Sequence, residues 1–449
     1  MQLIKNIYAK LNSPGAVSSG VWVVVGMVSS QGLRLASNLA LTRLLVPEYF
    51  GLMALMSSLL VVFVMISDLG INRSVINSER GHEPGFLSTA WTIQFMQGCG
   101  LAVLVALSAY PLSTAYDQPE LFHMLLAASG ILLINGSRSM SLVLLAKQLQ
   151  QNKLIRLELV SQLIGTVVMI VLAVIYRNVW ALFSGYAVTI IVKCIASHVL
   201  FSYAHSRFHI DKPAVSEIIG FGKWIFLSSI FGVITTQADV IIMAVWMNAA
   251  ELGKYSIASV FASGIFLLAH SLSDRVLHPL FRKFIDQPTG LASVQKNRTR
   301  LNFAFVSVCA VLAVGGHWII EFLYDDRYIE AGWMLQFLAV GKIGMCLTST
   351  LKPFIHAKGD SFSSMLHQIV LSAALAIAMI AGGAYFGVVG IILAYSIVPI
   401  FAFPVLVFAA RKHEFHCAKA DSLLVLGALI IIGLGWWLTD ARALQVLGL

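Results

Sequence analysis

The chain has 449 residues, 58% of them hydrophobic and 11% charged, with a mean hydropathy of +0.85. Soluble domains carry about a quarter charged residues, so the composition excludes a soluble globular protein and describes a polytopic membrane protein. The formal charge of +9 is a membrane address rather than a nucleic-acid footprint, as its distribution along the chain shows.

The N-terminal stretch MQLIKNIYAKLNSPG has two lysines but no compact apolar core ending in a small-residue cleavage site, so the first span is expected to stay in the mature chain. Apolar runs predict spans at about 18–44, 48–72, 86–110, 119–146, 155–176, 179–203, 217–247, 251–274, 300–323, 329–352, 361–385, 387–410 and 421–439. The first holds SSQGLRLASNLALTRLL, where Gln31, Arg34, Asn38 and Thr42 share one helix face. An arginine near a bilayer centre costs at least roughly 3 kcal/mol by insertion scales, so this face is expected to look inward. Tyr186, Thr189, Lys193 and Ser197 repeat the pattern in the sixth span, and Ser228, Gly232, Thr235 and Asp239 in the seventh. In the eighth, Ser259, Ser263, His270 and Asp274 do the same. By depth, the buried cations are Arg34, Arg138, Lys193 and Lys342, set against one deep acid, Asp239.

With the N-terminus inside, twenty Lys and Arg fall on the cytoplasmic side and five on the other, a strong positive-inside bias. The longest polar connection, 274–300, is basic and carries two prolines. It reads equally as a segment lying on anionic lipid or as a solvated loop. Cys99, Cys194, Cys309 and Cys346 stand singly in apolar runs and no CxxC occurs, which argues against disulfide and zinc frameworks. HEFHC (413–417) has the wrong spacing for a metal site. No GxxxxGK[ST] loop signals an ATP motor.

The chain repeats itself. VPEYFGLMAL (46–55) falls over MNAAELGKYSI (247–257), with Gly51 on Gly253. NVWALFSGYAV (178–188) falls over GVVGIILAYSI (387–397), with Tyr186 on Tyr395. The offsets, 202 and 209, keep order and orientation. Six spans per copy make both enter the membrane in the same direction, and transporters of this design bind substrate between the repeats. The expected organisation is an N-lobe over 1–204, a cytoplasmic linker over 205–216, a C-lobe over 217–412 and an extra helix within 413–449.

LTRLLVPEYFGLMAL, ISDLGINRSVI, ADVIIMAVWMNAAELGKYSIAS and NVWALFSGYA resemble bacterial polysaccharide exporters, the Wzx-type flippases. That superfamily also holds multidrug and toxic-compound extrusion transporters and lipid II flippases. The resemblance covers essentially the whole chain. It implies an all-α fold of two pseudo-symmetric six-helix bundles around a central cavity. It also implies a transporter, not an enzyme, that flips undecaprenyl-diphosphate-linked oligosaccharide across the bacterial inner membrane by alternating access. No cofactor is implied. Coupling to Na⁺ or H⁺ and handover to polysaccharide polymerase machinery are compatible with it.

A surplus of buried cations suits a diphosphate and acidic sugars. Arg34, Arg138, Lys193 and Lys342 are the candidate head-group cations, Gln31, Asn38, Tyr186 and Thr235 the cavity's polar face, and Asp239 the candidate ion or proton site. Three alternatives stay open. Arg34 pairs structurally with Asp239; or the chain is a multidrug antiporter, which a cationic core disfavours; or it is a membrane polymerase or ligase, for which outer connections of about ten residues or fewer leave little room.

Overall fold

The computed structural model describes residues 14–148, 150–201 and 207–439, and among them all regular structure is helical. Hydrocarbon offers the backbone no hydrogen bonds, so a lone spanning segment must satisfy its own amides, as a helix does. In chain order the helices are α1 (Pro14–Leu44), α2 (Pro47–Ile66), α3 (Ile71–Asn77), α4 (Pro84–Ala115), α5 (Pro119–Gly136), α6 (Ser141–Lys147), α7 (Gln151–Tyr176) and α8 (Val179–Val199). They continue with α9 (Lys212–Trp246), α10 (Ala249–Leu272), α11 (His278–Phe284), α12 (Pro288–Leu323), α13 (Ala331–Ala357), α14 (Ser361–Lys412) and α15 (Ala418–Leu438).

Ten of the described helical segments are long and apolar enough to cross a membrane. One of them, the 52-residue α14, is two arms folded at Gly387, whose φ of 59° and ψ of −142° break the helix in a conformation open to glycine. The arms then cross where a Cβ on Gly390 would stand 2.1 Å from the Gly382 carbonyl oxygen. With the arms counted separately, and α1 and α9 added, the helices match the expected spans one for one.

Three stretches depart from the expected spans. The second span stops at Ile66 and resumes as α3; the fourth stops at Gly136 and resumes as α6. At the first break Gly70 takes a φ of 62°, Asp68 accepts the Gly70 N–H at 2.8 Å and Gln97 donates to the Ser67 carbonyl at 2.7 Å. The basic connection 274–300 is largely helical. A π-helical turn, Ser273–Leu277, carries α10 on into α11, and α12 starts at Pro288, where proline gives up only an N–H that a helix start leaves unbonded.

Two compact units divide the chain: Met1–Leu45 with Met56–Val233, and Val46–Leu55 with Ile234–Leu449. In the first, α1 packs on α7, α4 on α5, and α7 on α8. Small residues set these approaches: Gly98 against Gly136, and Gly165 against Gly185 and Thr189. The short helices α3 and α6 lie together, joined by Lys147, whose ammonium donates to the carbonyls of Val75 and Ser78 at the end of α3. Around them Val75, Phe86, Trp91, Met140 and Ile218 form an apolar core. The segment 207–211 straps onto α4: Asp211 N–H donates to the Thr89 hydroxyl, His209 N–H to Thr92, and the Asp211 carboxylate meets Arg80 at 2.9 Å. The two carboxylates of Asp211 and Glu83 raise the Arg80 guanidinium above its ordinary pKa.

In the second unit α13 is the inner helix, its apolar window wholly buried among α10, α12 and α14. The C-terminal α15 is an integral part of this unit. Arg298 of α12, counted in the sequence among the cytoplasmic charges, is fully buried and reaches Asp421 of α15 at 2.8 Å and 3.3 Å. Asn302 donates to the same carboxylate at 3.1 Å and Thr350 of α13 donates to Asn302. At the other end Trp436 donates to the Ala313 carbonyl at 2.6 Å.

Candidate functional site

In the first unit the polar groups gather at the break between α5 and α6. Breaking a helix inside hydrocarbon strands carbonyls, and side chains must take them up. Gln94 donates to the carbonyls of Gly136 and Arg138, Trp91 to that of Ser137, and His198 meets the Ser137 carbonyl at 2.8 Å. Ser139 N–H donates to the Ser197 hydroxyl at 3.1 Å, and Ser137 lies 3.3 Å from the Cys194 sulfur. The Arg138 guanidinium donates through Nε to the Asn135 carbonyl at 3.1 Å, which leaves its terminal amino groups for other partners.

Because α8 docks on this break through Cys194, Ser197 and His198, Lys193 is carried to the same place. Its ammonium stands 3.6 Å from Glu158 of α7, and Glu158 also acts electrostatically on Arg138. One of the expected cations, Lys193, therefore meets an acid that the sequence reading missed, and a second, Arg138, feels its charge. Glu158 lies one turn inside the predicted start of its span, where a carboxylate passes for a helix-end charge.

Arg34 of α1 is exposed and makes no side-chain hydrogen bond or ion pair among the described residues. Gln31 and Asn38 beside it are half-buried. The neighbouring face of α1 is the packing face, with Ser30 and Gln162 exchanging hydrogen bonds of 2.6 Å and 3.1 Å. Tyr186 is half-buried and its ring meets Phe183. Thr189 and Ser197, on the polar face their spacing predicts, serve helix packing, against Gly165 and Ser139.

The second unit carries a different arrangement. Asp239 of α9 and Lys342 of α13 are each 4% exposed. Asp239 Oδ2 accepts from the Tyr255 hydroxyl at 2.6 Å, while Oδ1 is buried without a hydrogen-bond partner. Lys342 donates to the Tyr395 hydroxyl at 3.3 Å and sits over the Tyr395 ring at 4.9 Å and the Phe266 ring at 5.8 Å, a cation–π enclosure. Acid and cation sense each other electrostatically without a direct ion pair. Asp239 thus finds its partners inside its own unit, and Lys342 is enclosed by aromatic rings. Thr235 accepts from Gln368 at 3.0 Å, and Gln368 in turn accepts from Lys352. The side chain of Ser228 lies outside the described residues. His413 of the HEFHC stretch pairs with Asp360 at 2.9 Å.

The start of α2, Val46–Leu55, belongs to the second unit. There Gly51 and Gly253, the residues aligned by the repeat, meet reciprocally. A Cβ on Gly51 would lie 1.9 Å from the Ala249 carbonyl oxygen, and one on Gly253 1.9 Å from that of Pro47. Backbone touches backbone, which glycine alone allows.

Comparison with known proteins gives this architecture its place. Succinoglycan biosynthesis transport protein ExoT of Rhizobium meliloti (strain 1021) is 23% identical over 350 residues, covering 76% of this chain and 68% of that protein. Lipopolysaccharide biosynthesis protein WzxC of Escherichia coli (strain K12) is 22% identical over 402 residues, covering 86% and 78%. Among solved structures, lipid II flippase MurJ in an inward closed conformation superposes with a TM-score of 0.70 at 15% identity, covering 93% of this chain and 92% of that one. An inward-facing multidrug resistance MATE family transporter of the MOP superfamily gives 0.64 at 13%, covering 87% and 98%. These structural likenesses establish the fold, a two-lobe helical bundle. The model of the polysaccharide biosynthesis protein family matches residues 40–332, and the chain belongs to that family.

Proposed function

We propose that the chain is a flippase that moves undecaprenyl-diphosphate-linked oligosaccharide repeat units across the bacterial inner membrane by alternating access, for O-antigen, capsule or exopolysaccharide synthesis. The observation that carries this reading is the set of basic side chains of one unit, Arg34 and Lys193 on membrane helices and Arg138 at the break between α5 and α6, in a chain of the polysaccharide biosynthesis family. Guanidinium forks suit phosphate oxygens, and inside low-dielectric surroundings each cation favours a bound anion strongly. The charge asymmetry of the sequence supports a cytoplasmic N-terminus. An inside-negative potential then drives the head group outward, by about 2.3 kcal/mol per charge per 100 mV.

Asp239 is the site for a coupling ion, and its chemistry fits H⁺ better than Na⁺. Its one unpartnered oxygen and a hydroxyl that already donates to it offer little to a cation that wants several oxygens. A proton there would neutralise the acid and change the field at Lys342. On the far side the product would pass to polysaccharide polymerase machinery.

Export normalised to membrane protein tests the reading. Arg34→Ala should abolish polysaccharide export with protein abundance retained, and Arg34→Lys should keep part of it, since lysine keeps the charge but loses the planar fork. Normal export by Arg34→Ala removes Arg34 from the site. Lost abundance in Arg34→Ala, with export per folded protein retained, would make Arg34 structural instead.

A further inference from the structure

We propose that Glu158 is an exchangeable counter-ion for Arg138 and Lys193, and that an anionic head group engages the two cations by displacing it. This deepens the flippase reading above and rests on it.

Two carboxylate–cation pairs inside the helical body have opposite characters. Arg298 and Asp421 are both 0% exposed, joined by two hydrogen bonds and backed by Asn302. That pair is sealed, and its work is to hold α15. Lys193 and Glu158 meet through one contact of 3.6 Å, with 29% and 61% of their side chains exposed. Their pair is loose and open to an incoming ligand.

Position makes the open pair useful. The Ser137–Met140 break carries Arg138 on the segment against which the Lys193 helix docks, because Cys194 touches Ser137 on one side and Ser197 receives the Ser139 N–H on the other. Glu158 is the one acid among the described residues that acts on both cations. One carboxylate, in contact with Lys193 and sensed by Arg138, leaves the two cations with a net positive charge. A diphosphate brings more charge and more oxygens than a single carboxylate, so it can replace Glu158 on both. When the site reopens on the other side, Glu158 returns and competes the head group off. The acid therefore lowers affinity and speeds release, and it selects against ligands too weakly anionic to displace it.

The test uses the full-length protein in lipid nanodiscs, with undecaprenyl diphosphate as the titrated probe and turnover followed separately as flipping in vesicles. Glu158→Gln should bind the probe roughly tenfold more tightly, the scale of losing one close competing charge, while its maximal flipping rate falls and its KM falls with it. Glu158→Asp should stay near wild type. Adding Lys193→Gln to Glu158→Gln should cancel the tightening. Unchanged or weaker binding by Glu158→Gln, when the wild type binds the probe, overturns the counter-ion role and leaves the flippase reading standing. No binding by wild type and variant alike overturns both.

Discussion

Replacing Gly51 by alanine perturbs the molecule at one point and by a calculable amount. The added Cβ would stand 1.9 Å from the Ala249 carbonyl oxygen and 2.9 Å from the Gly253 nitrogen, whereas non-bonded atoms rest at about 3.5 Å. The two backbones must part there by about 1.5 Å, and forcing a close packing apart typically costs about 1–3 kcal/mol. If α2 and α10 separate when the transporter opens at this end, that cost falls on the closed form alone and shifts the equilibrium toward the open one by roughly 5- to 150-fold. Gly253→Ala, whose Cβ meets the Pro47 carbonyl at the same 1.9 Å, should do the same. Gly32→Ala, with nothing within 4 Å, is the control. The assay is oxidative cross-linking of cysteines at Phe50 and Leu252: yield should fall in Gly51→Ala and Gly253→Ala and stay high in Gly32→Ala. Cross-linking the unmutated background should also stop export, and reduction should restore it. Equal yields in all three variants, or export by the cross-linked protein, would refute the separation of α2 from α10.

Two further outcomes follow from polar links in the second unit. Asp421→Ala should strand the buried Arg298 guanidinium and cost about 3–5 kcal/mol, read as a lost thermal transition in detergent, while Arg298→Met with Asp421→Leu should recover most of it. Full stability of the single variant would mean the pair does not hold α15. The Asp360 carboxyl is held well below the usual carboxylate range by the Ser363 N–H, by His413 and by the Ser363 hydroxyl. A depressed folded value means that its stabilisation is present above the unfolded value of about 3.9 and is lost as pH falls through the folded one. The Tm deficit of Asp360→Ala should therefore be constant from about pH 5 to 7 and shrink only below about pH 4. A deficit that vanishes by about pH 5 contradicts that assignment.

How much of this was legible in the sequence depends on the distance over which each feature is encoded. Spans are local: some twenty apolar residues announce themselves, and the helices follow them closely. The close approach of Gly51 to Gly253 was foreshadowed by the repeat, because equivalent helix starts carry equivalent small residues. The breaks at Ser67–Gly70 and Ser137–Met140 were missed because the two or three polar residues in each barely lower the hydropathy of a long window. The turn-forming clusters Asp68-Leu69-Gly70 and Ser137-Arg138-Ser139 were the signal that was there. Partners are not local. Arg298 looked like a surface charge because its acid lies 123 residues away, and Lys342 looked available because the rings around it come from α10 and α14. Helical spacing put Thr189 and Ser197 on one polar face, but spacing alone does not say whether a hydroxyl meets a ligand or a neighbouring backbone.

The central claim is that the protein moves an anionic lipid-linked glycan. Purified protein reconstituted in vesicles with a fluorescent undecaprenyl-diphosphate-linked oligosaccharide on the outer leaflet tests it directly, through the fraction that a membrane-impermeant glycosidase can reach over time. The account predicts that the wild type makes part of the substrate inaccessible within minutes and that Arg138→Gln with Lys193→Gln does not. Substrate that stays fully accessible with the wild type, in vesicles where the same protein moves an organic cation, would contradict it.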